Sequence, residues 1–372
     1  ANRVAGRMKA LARHWSRIAV TLVPLVLAVL HATGAVPLGV LQRLDDIIYD
    51  ARLRATMPRT LDERIVIVDL DEKSLAEVGR WPWSRNRVAA LVDELFDGQQ
   101  AAILGFDVVF AEPDDSSGLR RLRQLAQAEL KDQPGFGHRI EQLQPQLDYD
   151  SVLASALKDR PIVMGYYFTG SDREAHASGV LPQPVMHKDA LQGRPVRFTR
   201  WSGYGANIEP LARAAPAAGF FNPVVDADGV VRAIPLLAEY RDQYYESLAL
   251  AMFRALAGGP AVEPGFTADG AGGRDDHALD HIRLRSDSRS HRVPVAEGVV
   301  TLVPFRGPGG PAGGSFRYVS AADLLAKRIA PASLKGKIVL IGTTAPGLQD
   351  LRVTPVGQAY AGVETHANLI SG

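Results

Sequence analysis

Residues 64–110 read RIVIVDLDEKSLAEVGRWPWSRNRVAALVDELFDGQQAAILGFDVVF. Ile65-Val66-Ile67-Val68 is an uninterrupted β-branched run, the composition of a strand buried on both faces, and it leads into Asp69. From Arg85 to Phe96, the residues Val88, Leu91, Val92 and Leu95 share one helical face, and Gly98 stops the helix. Ala101 to Phe106 is a second buried strand, ending at Asp107. Strand, helix, strand is the unit from which parallel sheets with helical faces are built.

The same alternation continues outward. Helical patterns fill 118–131 and 148–158, and Pro161-Ile162-Val163-Met164-Gly165 begins another strand. Tyr245 to Leu256 and Ala321 to Ile329 read as helices. Ile338-Val339-Leu340-Ile341 is a buried strand running into Gly342-Thr343-Thr344-Ala345, and Tyr360 to Ile370 is a further helix. Asp226-Ala227-Asp228-Gly229 lies between apolar runs and signals a hairpin turn; a calcium loop would need a third ligand and a downstream Glu. Residues 258–316 form a Gly/Pro-rich insertion with short strands expected at 280–285 and 299–304. Its GPGGPAGG at 307–314 lacks the GK[ST] of a phosphate loop, and His277 and His281 read as solvated loop histidines.

Composition bounds the function. The chain has 372 residues, 46% hydrophobic and 22% charged, with no cysteine. Disorder throughout, a disulfide scaffold, thiolate–metal sites and thiol catalysis are excluded. A net charge of +1 gives no support for a nucleic-acid partner. The charge is unevenly placed: Arg3, Arg7, Lys9, Arg13 and Arg17 carry +5 within the first 17 residues, which leaves −4 on the remainder. Residues 18–42, IAVTLVPLVLAVLHATGAVPLGVLQ, contain no charged residue. As one helix these 25 residues would reach about 37 Å, enough to cross a lipid bilayer. The positive-inside rule then places residues 1–17 in the cytoplasm and the bulk of the chain outside the inner membrane, in the periplasm. Residues 43–61 read as a membrane-proximal amphipathic helix stopped near Pro58. The expected architecture is α/β, a largely parallel mixed sheet with flanking helices, preceded by one transmembrane helix. Residues 62–372 are the expected sensor domain.

Candidate chemistry gathers at strand ends, because loops and helix N-termini of parallel sheets meet ligands there. Asp69, Asp71, Asp107, Thr343, Thr344 and Asp350 follow three buried strands, and Glu364 and His366 open the final helix. Carboxylates with one His suit a divalent cation or an amine ligand; the competing reading is that strand-end carboxylates cap helices, as Asp71 is placed to do. Trp81 and Arg85, in Trp81-Pro82-Trp83-Ser84-Arg85, are either a pocket wall or a hydrophobic plug with Ser84 as helix cap. No G-x-S-x-G, HExxH or G-x-G-x-x-G is present, and no catalytic set emerges.

Several stretches resemble the CHASE2 extracellular sensor domain of bacterial membrane receptors. They are IVIVDLDEKSLAEVGRWPWSRNRVAALVDEL, AAILGFDVVFAEPD, GFFNPVVDADGVVRAIPLL, YYESLALAMFRAL and LKGKIVLIGTTAPGLQDLRVTPVGQAYAGVETHANLI. Tyr245-Glu246-Ser247 departs from the Tyr-Pro-Ser often found there, and 258–316 matches poorly. The resemblance implies an inner-membrane receptor acting as a homodimer, with further spans and a cytoplasmic output domain beyond residue 372. For a class III adenylate or guanylate cyclase output, the unseen domain would make a cyclic nucleotide; in the adenylate cyclase case it would use ATP and Mg2+ and set cyclic AMP. A histidine or Ser/Thr kinase output, or a membrane-anchored periplasmic hydrolase, are the alternatives. The implied partners are the lipid bilayer, a second copy of the chain and a small ligand or ion, with no cofactor in residues 1–372.

Overall fold

A computed structural model describes residues 15, 17, 19–31, 39–170, 176–266, 279–286, 289–345, 348 and 350–372. The described chain divides into two compact units at Thr56/Met57.

In the first unit, residues 19–31 are helical, and a separate helix α1 spans Gly39–Thr56. This corrects the expectation of one spanning helix over 18–42. His31 Nε2 lies 3.7 Å from Asp45 Oδ2. An unbroken helix would hold these residues about 21 Å apart. Gly39, Val40 and Leu41 instead open α1, whose continuation carries Arg43, Asp45 and Asp46. Among the described residues, no helix is long and apolar enough to cross a membrane. The helix expected over 43–61 begins four residues earlier and stops at Thr56, just ahead of Pro58.

The second unit opens with β1 (Ile65–Asp69), α2 (Glu72–Val78), α3 (Arg85–Asp93) and β2 (Ile103–Phe106). Then come α4 (Leu119–Gln127), α5 (Pro134–Leu147), α6 (Tyr149–Leu157) and β3 (Ile162–Thr169). The middle holds β4 (Gly203–Gly205), α7 (Glu209–Ala214), β5 (Ala217–Phe220), β6 (Leu237–Tyr240), β7 (Gln243–Glu246) and α8 (Leu248–Leu256). After it come β8 (Ala261–Phe266), β9 (Leu279–Arg285), β10 (Ser290–Pro294), β11 (Arg317–Ser320) and α9 (Ala321–Leu325). Last are β12 (Ile338–Gly342), β13 (Leu351–Thr354), β14 (Gly357–Ala361) and α10 (Gly362–Ser371).

The central sheet runs β11-β1-β12-β2-β3-β5, every neighbouring pair parallel. β4 adds antiparallel to the far end of β3, which makes the sheet mixed. The period-2 alternation of strand side chains divides the apolar run between two cores. Val66 and Val68 join Leu91, Leu95, Leu153 and Leu157 on one face, while Ile65 and Ile67 join Met252, Leu340, Val363 and Ala367 on the other. That is why the strand is apolar at every position. Gly342 ends β12 against α10: a Cβ built there would overlap the Val363 side chain.

Sequence and structure differ in places. α5 has no counterpart in the sequence reading, since Pro134, Gly135, Gly137 and Pro145 mask its pattern. α9 ends at Leu325 rather than Ile329. The 258–316 insertion holds a three-stranded antiparallel sheet, β8-β9-β10. His281 sits in β9 and is 8% exposed, not a solvated loop residue; His277 lies outside the described residues.

Candidate functional site

Parallel pairing sets Asp69 opposite Gly342, and Ile341 opposite Phe106. The carboxyl ends of β1, β12 and β2 therefore form one rim carrying Asp69, Thr343 and Asp107. The rim residues do not act as one cluster; they sort into separate groups.

Asp69 is buried and accepts hydrogen bonds from Thr344 N (2.9 Å) and Thr344 Oγ1 (2.6 Å). Burial pushes its carboxyl up to about 6, against the pull of the Thr344 bonds. Thr343 Oγ1 donates to Leu70 O at 3.3 Å. This group staples the loop after β12 to the end of β1. Asp71 is the helix cap that its sequence suggests: it accepts from Ser74 N at 2.7 Å and from Ser320 Oγ at 2.9 Å.

Asp107, Asp350 and His366 form the second group. His366 Nε2 is 3.7 Å from an Asp107 oxygen, and both side chains are buried. Burial drives Asp107 well above the carboxylate range, with the Asp350 charge adding to it. Burial also raises Asp350 to about 6, although Arg352 Nη2 donates to its Oδ1 at 3.2 Å. The His366 imidazole is held down, to about 4, again chiefly by burial. Neutral His beside protonated Asp is what a dry site enforces. Two buried polar atoms here, Asp350 Oδ2 and His366 Nδ1, have no hydrogen-bond partner.

Glu364 leaves the rim. Its Oε2 accepts from Gly310 N (2.6 Å) and Tyr318 Oη (2.7 Å), while Oε1 is buried without a partner. Burial raises its carboxyl despite those bonds. The 307–314 glycine run thus packs on α10 and offers a backbone N–H to a carboxylate rather than to a phosphate.

Trp81 and Arg85 lie in the plug. Trp83 and Trp81 meet edge to face at 5.6 Å, and Trp81 reaches Phe110 at 6.3 Å. The Arg85 guanidinium lies 4.5 Å over the Phe110 ring and donates to the carbonyls of Trp83 and Glu112. Ser84 stands at the N-cap of α3 but makes no capping bond; Asp114 Oδ2 takes the Arg85 N–H instead, at 2.6 Å.

The acids at 226 and 228 are a turn. Gly229 N donates to Asp226 O, and the buried Arg232 guanidinium donates to both carboxylates at 2.8–3.0 Å. A cation is already supplied by the chain. Among the described residues, no group of three or more His, Asp or Glu side chains is placed to hold a metal ion.

Sequence reasoning missed Arg306, inside the Gly/Pro-rich insertion. Its main chain accepts from Arg59 N (2.7 Å) and donates to Asn368 Oδ1 (2.9 Å). Its guanidinium donates to Thr60 O, Thr60 Oγ1 and Ser371 Oγ. Beside it, Arg64 Nη2 donates to Ser371 O at 3.0 Å, and Ser371 Oγ donates to Asp62 Oδ2 at 2.6 Å. The segment entering the domain and the C-terminal turn of α10 are thus clasped together. A lone Arg among glycines carries no periodic signal, so only the fold reveals it.

The parallel sheet covered on both faces, with buried ionisable groups at its carboxyl rim, defines an α/β domain. Residues 22–372 match the CHASE2 domain, and the chain belongs to that family. CHASE2 domains are extracellular sensors of signalling receptors. No curated protein and no solved structure matches the chain.

Proposed function

We propose that this chain is the input region of a membrane-anchored bacterial receptor that acts as a homodimer and controls an adenylate cyclase. The uncharged run at 18–42 contributes to the anchor, though not as one spanning helix, and the basic residues ahead of it face the cytoplasm. The signal is received at the rim, where Asp350 and His366, beside Asp107, hold buried polar atoms without partners. The observation that carries the reading is the clasp. α10 bears His366 at its middle and Ser371 at its C-terminal end, and Ser371 is bonded to Asp62, Arg64 and Arg306. A ligand that repositions α10 would change this clasp and so the relative placement of the two ends of the domain.

The test expresses the receptor bearing this domain in a bacterial host that lacks its own adenylate cyclase, with cyclic AMP as readout. Arg306→Lys keeps the charge and loses the forked contacts. It is expected to shift cyclic AMP by ~3-fold or more at equal protein abundance. Phosphotransfer without cyclic AMP would replace the cyclase by a kinase. Cyclic AMP insensitive to Arg306→Lys would refute the transmission route.

A further inference from the structure

Away from the rim, a cleft of about 920 Å³ runs along the Ala217–Ala218 end of β5, between the 180–185 loop and α8. Apolar side chains dominate its walls, among them Ile162, Met164, Pro182 and Val185. Charge enters at one place. Glu246, the last residue of β7, is 7% exposed and lines the cleft together with Arg254 of α8.

Their pairing is one-sided. Arg254 Nη1 donates to Glu246 Oε1, and Arg254 Nε donates to Pro260 O at 2.9 Å. Glu246 Oε2 is buried with no partner. Tyr166, from β3, also lines the cleft; its hydroxyl is fully buried and likewise has no partner. Burial, and then the nearby Glu246 charge, pushes the Tyr166 phenol well up, so it stays an intact hydroxyl. A buried carboxylate oxygen without a donor is costly, and two orphaned polar atoms, carried by residues of different strands that both line one cleft, mark a place built for a polar guest.

The guest must satisfy an ion pair without adding net charge to an apolar cleft. A lone ammonium or a lone carboxylate would leave one charge uncompensated. A zwitterion laid antiparallel to the Glu246–Arg254 pair compensates both. We propose that this cleft binds a small zwitterion of the amino-acid class with an apolar side chain: its ammonium donates to Glu246 Oε2 and Tyr166 Oη, its carboxylate faces Arg254, and its side chain lies on the Ile162–Met164–Pro182–Val185 wall.

The proposal rests on the sensor reading but is measured as binding alone, so its failure leaves the cyclase question untouched. Calorimetric titration of the full chain with alanine, valine, leucine and phenylalanine is the experiment. Leucine is compared with 4-methylpentanoate, which lacks the ammonium, and 3-methylbutylamine, which lacks the carboxylate. Leucine is expected to bind at least ~10-fold more tightly than either analogue. Glu246→Gln should weaken leucine by ~10-fold or more and leave 4-methylpentanoate within ~2-fold. Tyr166→Phe removes only a hydroxyl without a partner, so it should fold as wild type and weaken leucine by ~3-fold or more. If Glu246→Gln fails to fold, Tyr166→Phe decides. No binding by any of the four amino acids at ~10 mM, equal binding of leucine and its two analogues, or unchanged leucine affinity in Tyr166→Phe would each overturn the proposal, leaving water as the cleft's guest.

Discussion

Replacing Asp69 by Asn isolates the electrostatics of the rim. The carboxyl rises from 3.8 to about 6 on folding because burial disfavours its charged form. At about 1.4 kcal/mol per pH unit, that difference corresponds to about 3 kcal/mol. The sign follows from where the proton sits. Between pH 4 and pH 6 the folded protein holds this proton and the unfolded chain has lost it. Folding is therefore favoured at the acidic end and loses stability as pH rises through about 6. Asn mimics the protonated form: its Oδ1 still accepts from Thr344 N, and its Nδ2 can donate to Thr344 Oγ1. The stability of Asp69→Asn relative to wild type should then rise by about 2–3 kcal/mol from pH 4 to pH 7. Urea unfolding at several pH values gives this difference directly. Subtracting the two proteins removes the opposing contributions of Asp350, raised like Asp69, and His366, which is lowered. A difference that stays flat with pH, or one that falls, refutes the burial argument.

Gly342→Ala drives a methyl into Val363 and should push α10 off β12, at a cost of about 1–3 kcal/mol read as a lower melting temperature; an unchanged melting temperature would deny the close approach. Arg232→Met leaves two partly buried carboxylates side by side and should destabilise by about 2 kcal/mol in a thermal melt. Millimolar calcium should leave the wild-type melting temperature unchanged, because Arg232 already occupies those carboxylates; a rise abolished by Asp226→Asn would restore the calcium loop. Tyr318→Phe removes one of the two hydrogen bonds to the buried Glu364 and should cost about 1–3 kcal/mol, measured by urea unfolding.

The inner strands β1, β12, β2 and β3 were legible because each is apolar on both faces, whereas the edge strands β11 and β5 were not. Ile65–Val68 and Ile338–Ile341 could therefore be placed without knowing their neighbours. Their order could not, since register depends on which strand lies alongside. The caps divided in an informative way. Asp71 follows the local rule because its partner is three residues away, whereas Ser84 is overruled by Asp114, which the fold brings from another loop. The strand-end aspartates sit at the carboxyl rim, but Asp69 serves a loop while Asp107 faces His366 from α10. Only tertiary packing separates those roles. Arg306 and the Glu246–Tyr166 pair were invisible for the same reason: isolated polar residues gain their meaning from partners far along the chain. At the N-terminus the apolar run was plain, but its division between two helices was not, because Gly39–Leu41 are as apolar as the residues before them.

The clasp between Asp62, Arg64 and Ser371 has a consequence for engineering. Asp62 and Arg64, just before β1, are held beside Ser371, the last residue of α10, so these two points of the chain lie together. Such a module can be spliced into a surface loop of an unrelated protein with short linkers, or its ends joined and new termini opened elsewhere. Either rearrangement would exploit the closeness of Asp62 and Ser371 that these bonds maintain.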